Sequence, residues 1–168
     1  MLKTIMNAKI YTGKKVIESG YIIFDEQILE IGEMSAYERK EDTQLIDATD
    51  RIIVPGFIDV HSHGGYGIDN MDADSKLINE MTQKMLQEGI TSYFSTTMTQ
   101  SDENIEKALV GIKEAKETNP MIQGIHLEGP FVSPAYKGAQ PEEFMRVADA
   151  EIMEKWNDLS GGNIKLVT

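Results

Sequence analysis

Two periodicities divide the chain. From Ile5 to about Ile53 the period is two: Ile5, Asn7, Lys9 and Tyr11 alternate with Met6, Ala8 and Ile10, ahead of a turn at Thr12-Gly13-Lys14-Lys15. Tyr21-Ile22-Ile23-Phe24, a polar turn at Asp25-Glu26-Gln27, and Ile28-Leu29-Glu30-Ile31 predict a hairpin. Gly32 to Gln44 is polar and predicts a loop. Leu45-Ile46-Asp47 and Arg51-Ile52-Ile53-Val54 predict two further short strands. Residues 1–54 therefore read as a small antiparallel, β-sandwich-like unit, which Pro55-Gly56 punctuates.

Beyond Gly56 the period changes. Phe57 to Val60 is a short apolar run, with Ile58 and Val60 expected under a helical cover. Leu77, Ile78, Met81, Met85 and Leu86 fall at helical spacing, with Asp74 or Ser75 to cap the start and Gly89 the end. Ile90 to Thr97 is β-branched and aromatic, hence strand. Ile105, Leu109 and Ile112 form a second helical stripe, capped by Thr99 or Ser101, and Ile122 to Leu127 a third strand. Asp149 caps a third helix with Ile152, Met153, Trp156 and Leu159 on one face; Gly161-Gly162 stops it, and Ile164 to Val167 begins a fourth strand.

This alternation predicts parallel βαβ units in an α/β fold. A complete (β/α)8 barrel takes roughly 250 residues, and 112 follow Gly56 (168 − 56). An open doubly wound sheet of four strands and the first half of a barrel, over residues 55–168, both fit the pattern. The chemistry decides for the half barrel.

Charge narrows the partners. With 28 acidic residues against 16 basic ones, the net charge of −12 repels nucleic acid and anionic membrane, and neither is expected as a partner. The absence of cysteine removes thiolate ligands, so any metal is left to His, Asp or Glu. The opening residues show no apolar stretch behind a basic one, and nowhere do eighteen apolar residues run together. A cytoplasmic location is the default expectation.

The first chemical cluster is Pro55-Gly56-Phe57-Ile58-Asp59-Val60-His61-Ser62-His63-Gly64-Gly65. Side chains alternate along a strand, so His61 and His63 share a face, with Asp59 beside them. Two imidazoles at the C-terminal end of a barrel strand suit chelation of a divalent metal. The alternative is a pair of loop histidines next to a glycine turn. The second cluster is Gly124-Ile125-His126-Leu127-Glu128-Gly129-Pro130-Phe131. Ile125 and Leu127 face helices, while His126 and Glu128 share the other face. A carboxylate ending an apolar strand is costly unless it pairs or binds metal; otherwise Glu128 is simply exposed in the loop. His126 reads as a hydrogen-bonded interior histidine and not a ligand. In the following loop, Ala139 and the amide of Gln140 suit contact with a polar substrate, although the segment equally fits a generic surface turn.

Pro-Gly-Phe-Ile-Asp-Val-His-Ser-His-Gly at 55–64 and His-Leu-Glu-Gly-Pro-Phe at 126–131 resemble the amidohydrolase superfamily, and within it the N-acetylglucosamine-6-phosphate deacetylases. The first motif is widespread in the superfamily and the second narrower; with the β unit ahead of them, the resemblance covers the whole chain. It implies a (β/α)8 barrel joined to a small β domain, and removal of acetate from N-acetylglucosamine 6-phosphate by a cytoplasmic homodimer. It makes Glu128 a metal ligand and His61 and His63 a second metal position; zinc, iron and manganese all suit such ligands, and a divalent ion, zinc or iron, is expected, with up to two ions bound. Some members carry Gln and Asn in place of the two histidines and use one metal; the histidines here favour two. Ala139 and Gln140 fall where the family contacts its sugar.

The resemblance also implies that the general base, an aspartate, and the family's further metal-binding histidines belong to a later half. The chain holds three histidines, His61, His63 and His126, and is expected to be inactive alone. The rival expectations are a dihydroorotase-like or deaminase-like amidohydrolase, and a non-catalytic half-barrel interaction module.

Overall fold

The structure, a computed structural model, describes residues 1–168 and divides into two compact units, Met1–Pro55 and Gly56–Thr168. In the first unit, β1 (Lys3–Tyr11), β2 (Val16–Phe24) and β3 (Ile28–Glu33) form a meander. Ala8, Ile10, Ile17 and Ile22 fill its apolar side together with Ala48.

The strands that complete this unit depart from the antiparallel expectation. β4 (Gln44–Asp47) and β5 (Ile52–Ile53) both pair with β1 in parallel. A tight turn forces antiparallel pairing, whereas a longer crossover permits parallel pairing. Here the polar stretch after β3 carries the chain past β2 to the free edge of β1. The unit is one mixed five-stranded sheet.

The second unit holds β6 (Phe57–Ser62), a tight hairpin of β7 (Gly64–Gly65) and β8 (Ile68–Asp69), α1 (Ser75–Met85), β9 (Ile90–Thr96), α2 (Asp102–Thr118), β10 (Ile122–Leu127), α3 (Ala150–Leu159) and β11 (Ile164–Val167). β6, β9, β10 and β11 are parallel, and their order across the sheet is their order along the chain.

The helices begin at side-chain caps. Asp74 accepts from the N–H groups of Lys76 and Leu77, Ser101 from Asn104, and Asp149 from Glu151 and Ile152. Gly89, at φ +82, gives the left-handed residue that ends the helical run after α1 and lets the chain turn into β9. The core joins Ile78, Met81 and Met85 of α1 to Ile105, Leu109 and Ile112 of α2, with Tyr93, Ile122, Ile125, Leu127 and Trp156 between them. Leu77 and Leu86, expected in the α1 stripe, lie on its margin and stay partly exposed.

Ile58 and Val60 correct a second expectation, since they are 68% and 43% exposed. β6 is an edge strand with β9 as its one long neighbour. A helix covers the groove between two strands, so an edge strand receives half the cover of an inner one. Ile125 and Leu127, on the inner strand β10, are fully buried.

Candidate metal centre

His61 lies on β6, His63 follows its end, and Glu128 follows the end of β10. β9 separates these two strands. Strands two apart in a sheet are about 9.5 Å apart, so side chains from both must reach inward to meet. Thr96 is the residue of β9 paired with His126, a small side chain in the intervening row.

The three long side chains do meet. Oε2 of Glu128 lies 2.9 Å from Nε2 of His63 and 3.3 Å from Nε2 of His61, and one donor atom from each residue lies within 4.8 Å of the others. Donors about 2.1 Å from a tetrahedral ion are about 3.4 Å apart, so this spacing suits a shared divalent cation. Two imidazoles and a carboxylate form a borderline-to-hard donor set of the kind that binds zinc or iron. The Glu128 side chain is 16% exposed, which makes its charge costly without a positive partner.

His126 has a different task. Its Nδ1 lies 3.2 Å from the carbonyl of Val60 and its Nε2 lies 2.8 Å from the Thr168 hydroxyl. A carbonyl only accepts, so Nδ1 carries the proton and Nε2 accepts from Thr168. Burial, followed by the neighbouring His61 ring at 4.7 Å, holds His126 below the usual imidazole range. It is a neutral strut between β6 and the end of β11. Asp59 is likewise occupied, with Oδ1 accepting from the backbone N–H of His61 at 2.9 Å.

Ala139 and Gln140 are not among the gathered donors. They lie in the loop between β10 and α3, Ala139 exposed and Gln140 half-buried. Oε1 of Gln140 accepts from Thr99 N–H at 3.0 Å, which ties the loop to the turn after β9. The base of this loop is held by Arg146, which pairs with Asp102 and lies 5.2 Å over the Trp156 ring.

Two residues behind the histidines had no place in the sequence reading. Asn70 and Tyr93 are fully buried and both hydrogen-bond the carbonyl of Ser62, the residue between His61 and His63. The one available signal was Asp69-Asn70-Met71-Asp72, whose two aspartates form a reciprocal capping box around a short turn.

A parallel α/β unit here gathers two histidines at the end of β6 and a glutamate just beyond β10 into one group of metal-binding type. The amidohydrolase family model matches residues 52–168, and the chain belongs to the amidohydrolase family. That family is metal-dependent, and this donor group is able to hold a metal ion.

The chain is similar to the N-acetylglucosamine-6-phosphate deacetylase of Bacillus subtilis, at 41% identity over 98% of this chain and 43% of the relative. It is also similar to the crystal structure of the same-named protein from Pasteurella multocida, with a TM-score of 0.88, 29% identity, and coverage of 99% of this chain and 44% of that one. A Mycobacterium smegmatis deacetylase variant, solved in complex with N-acetyl-D-glucosamine 6-phosphate, gives a TM-score of 0.84 at 25% identity, covering 99% of this chain and 42% of that one. The chain thus spans less than half the length of these relatives. No helix is long and apolar enough to cross a membrane.

Proposed function

We propose that these residues are the metal-binding portion of an N-acetylglucosamine-6-phosphate deacetylase, an enzyme that hydrolyses the acetamide to glucosamine 6-phosphate and acetate. The observation that carries the reading is the convergence of His61, His63 and Glu128 within 4.8 Å from two different strands. The names of the relatives favour this substrate over a dihydroorotase-like or deaminase-like reaction.

The same reading assigns residues 55–168 to the first half of a (β/α)8 barrel and residues 1–54 to part of a small β domain. A doubly wound sheet reverses its strand order at a switch point. Here the order β6, β9, β10, β11 never reverses. With right-handed crossovers, such a sheet carries all its helices on one face. The opposite face, bearing the histidines and Glu128, then becomes a barrel interior.

His61 and His63 would hold the ion through Nε2, and Glu128 through Oε2. A divalent cation bound there, zinc or iron and one ion or two, supplies Lewis acidity that polarises an amide carbonyl and acidifies a water. Glu128 offsets the positive charge and, anchored just beyond β10, fixes its distance from β6. Burial and the neighbouring His61 ring disfavour a charge on His126, and its two hydrogen bonds, to the Val60 carbonyl and from the Thr168 hydroxyl, hold it as a strut. Ala139 and Gln140 would contact the sugar, with Gln140 held in place through Thr99 N–H. The three donors are ligands and His126 is a strut, so this portion alone binds metal without turning substrate over. The whole protein would be a cytoplasmic homodimer acting on a small amino-sugar phosphate, with neither nucleic acid nor membrane as partner.

The test is acetate release from N-acetylglucosamine 6-phosphate by the full-length protein, with and without Glu128→Gln. A loss of at least about a hundredfold is expected for removal of a ligand of the reacting centre. Turnover near the wild-type level refutes the ligand assignment. A 168-residue chain that is folded and monodisperse, yet binds neither zinc nor iron, would instead favour a non-catalytic interaction module.

A further inference from the structure

A metal-binding imidazole is usually oriented by a hydrogen bond on its second ring nitrogen. His63 lacks this device, because its Nδ1 is buried without a hydrogen-bond partner. Apart from the Nε2 contact with Glu128, what holds His63 is its backbone.

The backbone of His63 is held on both sides. The peptide group ahead of it presents the Ser62 carbonyl, which accepts from the Tyr93 hydroxyl at 2.8 Å and from Asn70 Nδ2 at 3.2 Å. The peptide group after it presents the His63 carbonyl, which accepts from the backbone N–H of Asn70 at 2.8 Å. Asn70 therefore grips both peptide planes that set the direction of the His63 Cα–Cβ bond. Nδ2 of Asn70 also lies 3.1 Å from the Thr96 carbonyl and 2.7 Å from the Tyr93 hydroxyl, which joins the grip to β9.

The local chain is shaped to deliver Asn70 to this position. Gly64, at φ +151, has Ile68 O only 2.1 Å from where a Cβ would stand, so no side chain fits where the hairpin closes. Tyr66 and Gly67 both take positive φ at the hairpin turn, and the Asp69–Asp72 capping box then fixes the short turn that begins at Asn70. Asn70 is held at a cost. It is fully buried, and its Oδ1 has no partner, which is an expensive way to fill space.

We propose that Asn70, acting with Tyr93, is the positioning residue that aims His63 at the metal. The proposal rests on the metal reading of His61, His63 and Glu128. Neither residue touches the ion; both act through the peptide groups that flank a ligand. Loss of the grip frees the His63 backbone and misplaces one ligand of the set, while the folded core around Ile105, Leu109 and Ile112 remains.

The experiment is a cobalt(II) titration of the full-length protein, followed by visible absorption, for wild type, Tyr93→Phe, Asn70→Ala and the distant core variant Ile112→Val, with metal-free thermal unfolding measured for each. Removal of outer partners of a metal site costs about ten- to a hundredfold in affinity. Tyr93→Phe is expected to weaken cobalt binding about tenfold and Asn70→Ala by more, with a changed absorption band. Ile112→Val should lower the melting temperature and leave cobalt affinity unchanged. If Asn70→Ala does not fold, Tyr93→Phe decides, because it keeps the ring and removes only the hydroxyl. Wild-type affinity in folded Tyr93→Phe overturns the proposal, whatever its melting temperature. Absence of cobalt binding by the full-length wild type would overturn the metal reading itself, and the positioning role with it.

Discussion

The indole Nε1–H of Trp156 donates to Oε1 of Glu106 at 3.2 Å, so the one polar atom of a fully buried ring joins α3 to α2. Phe131 stacks on the same ring at 5.9 Å, and Lys155 adds an ion pair to Glu106 at 2.5 Å. Trp156→Ala removes the ring and leaves a void between the helices. The expected loss is about 3–5 kcal/mol, read as a lower midpoint in urea unfolding followed by circular dichroism. An unchanged midpoint would show that α3 contributes little to the core.

On the proposed metal reading, binding should stabilise the fold, because His61, His63 and Glu128 stand at the ends of β6 and β10 and come together only in the folded chain. A ligand at a hundred times its dissociation constant adds about 2.7 kcal/mol. Added zinc should therefore raise the melting temperature, and a chelator should return it to the metal-free value. His61→Ala should remove the response. A melting temperature indifferent to zinc in the wild type would contradict the shared-ion geometry.

Tyr93 gives the fold an alkaline limit. Burial is the main cause that raises its phenol above the ordinary range; the Asn70 amide, which donates to the phenol oxygen, opposes this, and the charges of Asp59 and Asp69 add to it. A group with a raised folded-state pKa contributes stability that is fully present below the unfolded value, about 10. That contribution disappears as the pH rises through the folded value. Wild-type stability should therefore fall above about pH 10 more steeply than that of Tyr93→Phe. Parallel stability curves for the two proteins between neutral and alkaline pH would rule the effect out.

The caps make a smaller prediction. Oδ1 of Asp74 accepts from Lys76 N–H at 2.9 Å and from Leu77 N–H at 3.1 Å. Asp74→Ala leaves both donors at the start of α1 without this partner and should cost about 1 kcal/mol. Asp74→Ser, which keeps an accepting oxygen, should restore most of it. Equal unfolding midpoints for the Ala and Ser variants would count against the cap.

The parts of the molecule that were legible in the sequence are those set by local rules. The stripe Ile105, Leu109, Ile112 and the caps Asp74, Ser101 and Asp149 depend on side chains within one or two turns of each other. Alternation placed His61 and His63 on one face, and the structure brings both to Glu128. What stayed hidden depends on contacts distant in the chain. Parallel pairing of β4 and β5 with β1 follows from the route of a crossover, which no local period encodes. The exposure of Ile58 depends on the place of β6 at a sheet edge. Asn70 resembles any turn asparagine until the fold sets it against Ser62.

The unreversed order of β6, β9, β10 and β11 also bears on how the chain acquires its structure. Each new strand pairs with the one made just before it, so the next contact is always among the nearest available along the sequence. Low separation between contacting segments speeds folding. During synthesis, β6 and β9 can pair before β11 has left the ribosome, and the histidines are then in place before Glu128 arrives to complete the set. Glu128 then joins a scaffold on which His61 and His63 already stand, so the three side chains meet in the order in which their strands are made.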